Sequence, residues 1–270
     1  MTLLKRVQKL ITFLKINCLL EVERPFILLA RYSSIFLFCL IYTFLSKIIW
    51  QKHIQLNGHD INFPLFIITG AAMMRFISFP LNMFHETLLS LKHAGMAAWI
   101  HVTSTSMWEL FLAKAIWGFF LALTEFVMFI VCSTFLMKIA IGFLNISFLI
   151  ALAFAFISYS GISMMILGVG LFLRKEASLS ALISQISITF GGVFFPVALL
   201  PGLLKTLSVF IPMTHVLKIV RSAGISSEIA SSETYLILSL ITIVTWTIGF
   251  VLINSGFVYA KENGYLERQL

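Results

Sequence analysis

Six long apolar runs, parted by short polar interruptions, set the pattern of this chain. They extend from Ser33 to Trp50, Phe63 to Phe84, Trp108 to Met137, Leu144 to Leu173, Ser178 to Leu200 and Tyr235 to Tyr259. Each approaches or exceeds the roughly 20 residues a helix needs to cross hydrocarbon. The fourth and fifth are separated only by Arg174-Lys175-Glu176-Ala177, a tight charged turn that leaves no room for another helix. Ahead of the first run the period changes. On a helical projection Leu3, Leu4, Val7, Leu10, Ile11, Leu14 and Cys18 share one face, and Lys5, Gln8, Lys9, Thr12 and Lys15 share the other. That pattern predicts an amphipathic helix lying in the membrane interface, as an anchor or as a contact for a partner. Glu21, Glu23, Arg24 and Pro25 mark the bend into the first span. The chain thus reads as one all-α membrane domain: residues 1–32 an interface helix and bend, 33–259 a six-helix bundle, and 260–270 a cytoplasmic tail.

The fifth run ends unlike the others. Residues 186–221 read ISITFGGVFFPVALLPGLLKTLSVFIPMTHVLKIVR. Gly191 and Gly192 interrupt the helix, Pro196 and Pro201 turn the chain, and a short amphipathic stretch then closes at Lys218 and Arg221. Glycine and proline free backbone donors and acceptors that hydrocarbon cannot satisfy. Such a break persists where protein buries it or where it borders a watery cavity, so it points to a pathway.

Composition excludes a soluble fold. Hydrophobic residues make up 60%, charged residues 11%, and mean hydropathy is +1.01, against roughly 25% charged in ordinary soluble domains. With the N-terminus inside, Lys5, Arg6, Lys9, Lys15, Arg24, Arg31, Lys92, Lys114, Arg174, Lys175, Lys261 and Arg268 fall on the inner side, twice as many as the outer side holds. Both termini are therefore expected in the cytoplasm. Anionic lipid at the inner leaflet accounts for the net charge of +8, and nucleic-acid binding is not called for.

Several chemistries fail on spacing. Cys18, Cys39 and Cys132 form no paired motif. His85-Glu86 starts like a zinc-protease helix, but Leu89 stands where the second ligand belongs, so no metal site is predicted. The chain has no G-x-x-x-x-G-K-[ST] loop to cradle ATP phosphates. If transport is driven by ATP, the engine is another chain. Its docking place is the connection from Met83 to Met107, far longer than the 2 to 8 residues or so that bundle connections usually take.

Two charges fall within the spans: Arg75 in the second and Glu125 in the third. An isolated charge there costs roughly 2.5–3.5 kcal/mol or more, and a structural ion pair is favoured over a substrate site or a proton relay. Span four carries Ser158, Ser160, Gly161, Ser163, Gly168 and Gly170, read first as packing positions. Span five brings Ser178, Ser180, Ser184, Ser187 and Thr189 beneath Phe190, Phe194 and Phe195, a mildly polar groove under aromatic rings.

The chain resembles the membrane subunits of type-two ABC exporters, a family that includes ABCG-like, O-antigen and lipo-oligosaccharide exporter permeases. The match lies in a Gly-rich F-F-P turn, then L-P, then a P-x-T-H/Y stretch ending in Arg: here Gly191, Gly192, Phe194, Phe195, Pro196, Leu200, Pro201, Pro212, Thr214, His215 and Arg221. The inner loop matches more weakly, keeping Glu86 and Gly95 but continuing as Met96-Ala97-Ala98. The resemblance implies a homodimer of membrane subunits above two ATPase subunits, which hold the ATP and Mg while this chain binds no cofactor. It implies a pathway ringed by spans one, two and five. Gly191, Gly192, Phe194, Phe195 and Pro196 would form an outer gate. Leu203 to Lys218 would supply re-entrant outer helices, a segment marked by Pro201, Pro212, Thr214 and Arg221. Glu86, Lys92, Gly95 and Trp99 would lie in or beside a coupling helix.

The expected protein is an export permease of the bacterial inner membrane, itself no enzyme, carrying a lipid, glycolipid, polysaccharide or hydrophobic small molecule, with lipids and an ABC ATPase as partners. An ion-coupled carrier or a membrane assembly factor is the alternative. The carrier needs buried acidic groups, for which only Glu125 qualifies.

Overall fold

The computed structural model describes residues 3–23, 25–48, 54–56, 59–61, 63–93, 107–137, 146–173, 176–222 and 231–262. Its helices are α1 (Leu3–Val22), α2 (Pro25–Ile48), α3 (Phe63–His93), α4 (Met107–Met137), α5 (Ile146–Leu173), α6 (Glu176–Phe190), α7 (Gly202–Ser208), α8 (Pro212–Arg221) and α9 (Ser232–Glu262). A 3-10 turn, Val197–Leu199, follows α6. One small hairpin, β1 (Ile54–Leu56) with β2 (His59–Ile61), joins α2 to α3, with Ile54 opposite Ile61 and Leu56 opposite His59. The apolar pattern did not predict it.

Five of these helices, α2, α3, α4, α5 and α9, are long and apolar enough to cross a membrane. Helix α6 has only 15 residues, about 22 Å at 1.5 Å per residue against a core of about 30 Å. The fifth run, Ser178 to Leu200, divides where its glycines interrupt it: the helix stops at Phe190, and the chain goes on as a turn. Side-chain register nevertheless identifies α6 as the remaining crossing. Helices α5 and α9 lie side by side and parallel, since Ser158 meets Thr242 (2.6 Å), Gly168 meets Leu252, and Phe172 meets Tyr259. Parallel neighbours need an odd number of crossings between them. Helix α6 supplies one, so the α7–α8 pair, bent by 80°, returns to the end of the bundle from which it came. Alternation continues elsewhere: α3 runs antiparallel to α4 (Phe84 on Phe111, Phe76 on Phe126) and to α6 (Asn82 on Ser180, Gly70 on Val193). The start of α2 and the finish of α9 consequently share one end of the bundle.

The core gathers on α3, buried along most of its length between α4 and α5. Phe76 is its centre, edge-on to Phe119, Phe126 and Phe156 at 6.0–6.4 Å, an arrangement aromatic quadrupoles favour. By contrast α2 and α9 expose much of their apolar surface, Leu37, Phe44, Leu240 and Val251 among it, as lipid-facing helices do. Glycines set the closest approach. A Cβ on Gly249 would stand 2.7 Å from Gly161 O, and one on Gly256 would stand 2.8 Å from Gly168 O. The small residues of α5 therefore serve packing against α9.

Helix α1 packs along α4 and leaves Ile11, Ile16 and Leu19 exposed, which suits a helix in the interface. Span one starts earlier than Ser33. Pro25 opens α2, its fixed φ suiting a first helical position, and this brings Arg31 into the helix.

Candidate functional site

Below the break, α6 is an ordinary helix, and Gly191 N still donates to Ser187 O at 3.0 Å. Gly192 then takes φ +80, a left-handed conformation open to glycine and costly for other residues. Gly191 is needed for a different reason: a Cβ there would lie 2.2 Å from Ser187 O and 2.7 Å from Met213 Cβ on α8. Pro196 leads into the 3-10 turn and Pro201 into α7, each with extended ψ, 135 and 151. Phe195 is half-buried, while Phe194 stacks on Tyr42 of α2 at 5.8 Å.

The Pro212-x-Thr214-His215 stretch makes the corner between α7 and α8. Pro212 occupies the start of α8, where a missing N–H leaves nothing unsatisfied. Thr214 Oγ1 donates to Ser208 O at 2.8 Å, and His215 Nε2 donates to Val209 O at 2.8 Å. Both carbonyls lie just where α7 runs out, and carbonyls there lack helical partners. Thr206 through Ile211 complete the bend with short i→i+3 bonds.

Arg221, at the last turn of α8, fastens this assembly to the bundle. Its Nη1 donates to Gly192 O (2.9 Å), and Nη2 donates to Val193 O and Phe66 O (both 3.1 Å). The guanidinium lies 3.5 Å from the Phe66 ring centre. Among the described residues no carboxylate pairs with it. The planar fork is what allows one side chain to hold carbonyls of two segments at once. Gly70 makes room, since a Cβ there would stand 2.2 Å from Val193 O. Thr69 Oγ1 accepts from Arg221 Nε at 3.4 Å; this residue, Gly70 and Phe66 were not foreseen. Gly70 is a small residue inside an apolar run, and its partner lies more than a hundred residues away.

Beneath Phe194 lies a cavity of about 210 Å³ bounded by α2, α3, α4 and α6. Phe38 and Tyr42 wall one side, Arg75 and Ser78 another, and Ser184 and Gln185 a third. Asn82 and Ser180, hydrogen-bonded to each other, join α3 to α6 on the far side from the break. Of the serines expected to make a mildly polar groove, Ser184 lines the cavity, whereas Ser180 serves this helix–helix bond. Pro80 lies within α3 close by, and its missing N–H interrupts the backbone ladder there.

Arg75 and Glu125 meet, with Nε 3.2 Å from Oε2. The pair is part of a longer chain. Glu125 Oε1 is 3.4 Å from Arg31 Nε, Arg31 Nη1 donates to Glu21, and Arg75 Nη2 donates to Ser34 Oγ at 2.7 Å. Sequence reading counted Arg31 only as an inner-side marker, because it put the start of span one beyond it.

Of the coupling residues, Glu86 is exposed on α3, and Lys92 lies near the end of the same helix. Gly95 and Trp99 fall outside the described residues, as does the rest of the connection between α3 and α4. His85 and Glu86 are thus carried on α3 rather than on a separate loop helix. Among the described residues no cluster of His, Cys, Asp and Glu is arranged to hold a metal.

A family model described as ABC-2 type transporter matches residues 8–225. The chain belongs to this family. The match runs from within α1 to just past the end of α8, and so includes the break, the corner and the Arg221 clamp. An ABC-2 membrane domain is the permease component of a transporter rather than a catalytic domain, and it normally works with an ATPase subunit. Comparison with curated proteins gives no match.

Proposed function

We propose that this chain is the membrane subunit of an ATP-driven exporter that moves an amphipathic substrate, lipid, glycolipid, polysaccharide or hydrophobic small molecule, across the bacterial inner membrane. A separate ABC ATPase binds ATP and Mg and hydrolyses the nucleotide. The carrying observation is the re-entrant segment α7–α8, pinned by Arg221 directly above a cavity between α2, α3 and α6. A break held this way closes one end of a route without leaving backbone groups bare to lipid.

In this reading the end of the bundle carrying α7 faces outward, both termini are cytoplasmic, and two copies of the chain face each other across the pathway. The ATPase docks beside Glu86, Lys92, Gly95 and Trp99 at the connection from α3 to α4. Gly191, Gly192, Phe194, Phe195 and Pro196 form the outer gate. An ion-coupled carrier fits less well, because Glu125 is engaged by both Arg31 and Arg75 and is not an open carboxylate for a proton or sodium.

Purification with the ABC ATPase encoded beside it tests this. The complex is expected to survive size-exclusion chromatography, and Glu86→Arg to reduce ATPase stimulation while sparing the fold. If neither complex nor change in turnover is seen with any such ATPase, the export reading fails.

A further inference from the structure

Most serines and threonines in these helices spend their hydroxyls on a carbonyl one turn back; Ser78, Ser133, Ser158 and Thr242 all do so. Around the cavity three donors are unspent. Ser184 Oγ and the Gln185 amide meet no partner among the described residues, and Arg75 uses Nε and Nη2 but not Nη1. Among the described residues no carboxylate lines the space. Glu125 stands behind Arg75 and is shared with Arg31, which also pairs with Glu21, so the network balances in charge and what it offers the space is the unspent donor capacity of Arg75.

Size limits what can enter. About 210 Å³ lies below the roughly 300–1,000 Å³ of pockets that enclose a whole drug-sized ligand. A compact head group fits, and a chain attached to it must lie elsewhere. The neighbouring face of α2 offers that place: Leu37, Ile41 and Phe44 are 58%, 60% and 60% exposed, next to Phe38 and Tyr42 of the wall.

From this arrangement we infer that the cavity is a head-group site for an anionic amphiphile, with a phosphate seated among Arg75, Ser184 and Gln185 and the tail along α2. Phosphate brings several acceptor oxygens to donors that lack them, and a guanidinium matches its geometry. The inference names the substrate class of the export reading and rests on it for its meaning, though binding itself needs no ATPase.

The test uses the full chain in dodecyl maltoside, titrated with dodecyl phosphate and followed by thermal unfolding, since a ligand of the folded state raises the midpoint as it saturates. Dodecyl phosphocholine, with the same tail and no net charge, and inorganic phosphate, with no tail, are the comparators. Dodecyl phosphate is expected to raise the midpoint saturably, and neither comparator to do so. Arg75→Gln should weaken the apparent affinity roughly tenfold or more, the loss of one charge-assisted hydrogen bond. Ser184→Phe fills the cavity, leaves the ion pairs intact and should abolish the shift, which keeps the test decisive if Arg75→Gln does not fold. The inference is overturned if dodecyl phosphate gives no saturable rise, if either comparator gives an equal one, or if the rise is unchanged in Ser184→Phe. The last result would mean adsorption to a basic surface. Saturable binding without any effect on an ATPase sinks the export reading alone; ATPase coupling without binding sinks this inference alone.

Discussion

Arg221 shows how much one residue can carry in this fold. Its guanidinium holds carbonyls of Gly192, Val193 and Phe66; Phe66 O also accepts from Thr69 Oγ1, whereas Gly192 O and Val193 O would each become a buried acceptor lacking a partner, a loss of about 1–3 kcal/mol. Arg221→Lys keeps the charge but not the fork. It is expected to cost about 2–4 kcal/mol, the loss of one or two of these bonds, read as a lower unfolding midpoint in detergent. Glycine positions make a sharper contrast. Gly192→Ala must hold an L side chain at φ +80 with its Cβ 2.8 Å from Val197 Cγ2, and should destabilise by about 1–2 kcal/mol. Gly202→Ala meets nothing within 4 Å and should leave the midpoint unchanged or slightly higher. Equal effects at the two glycines would show that the Gly192 turn is not held as described.

Elements meet here through register. Helices α5 and α9 touch at Ser158–Thr242 and again at Gly161–Gly249 and Gly168–Gly256; the two glycine pairs are seven residues apart on both helices, which keeps one face of each against the other. Gly249→Leu would force that interface apart at Gly161 O and is expected to cost about 3 kcal/mol or more, seen as reduced yield and a lower midpoint. The parallel register itself is open to chemistry. With the native cysteines replaced, Ser158→Cys/Thr242→Cys should form a disulfide under mild oxidation, detected as a mobility shift that reductant reverses. Failure to cross-link would undo the crossing count that makes α7–α8 re-entrant.

For the molecule as a whole, the alternation of helices puts α1 and the finish of α9 at one end and α7 at the other. The proposed orientation sets α7 outside. Lys205, exposed on α7, and Cys18, exposed on α1, test it. In intact cells an impermeant thiol reagent should label Lys205→Cys in a Cys18→Ser background and spare native Cys18 until the cells are opened. The reverse pattern would invert the transporter.

Local chemistry was readable along the chain. Runs of apolar side chains demand helices in hydrocarbon wherever they occur, and Gly191, Gly192, Pro196 and Pro201 stop a helix whatever surrounds them, because their effect is on their own backbone. Asn57-Gly58 carries a hairpin signal of the same local kind, overlooked beside the stronger apolar pattern, and β1 and β2 flank it. The pairing of Arg75 with Glu125 was inferable from cost alone, since a charge in lipid needs a partner. Which further residues join them was not. Arg31 reaches Glu125 only because α2 begins at Pro25, and Arg221 reaches Gly192 only because α8 folds back across the end of α3. Contacts between residues far apart in the chain depend on depth and rotation of whole helices, quantities set by packing, so only the assembled bundle decided them.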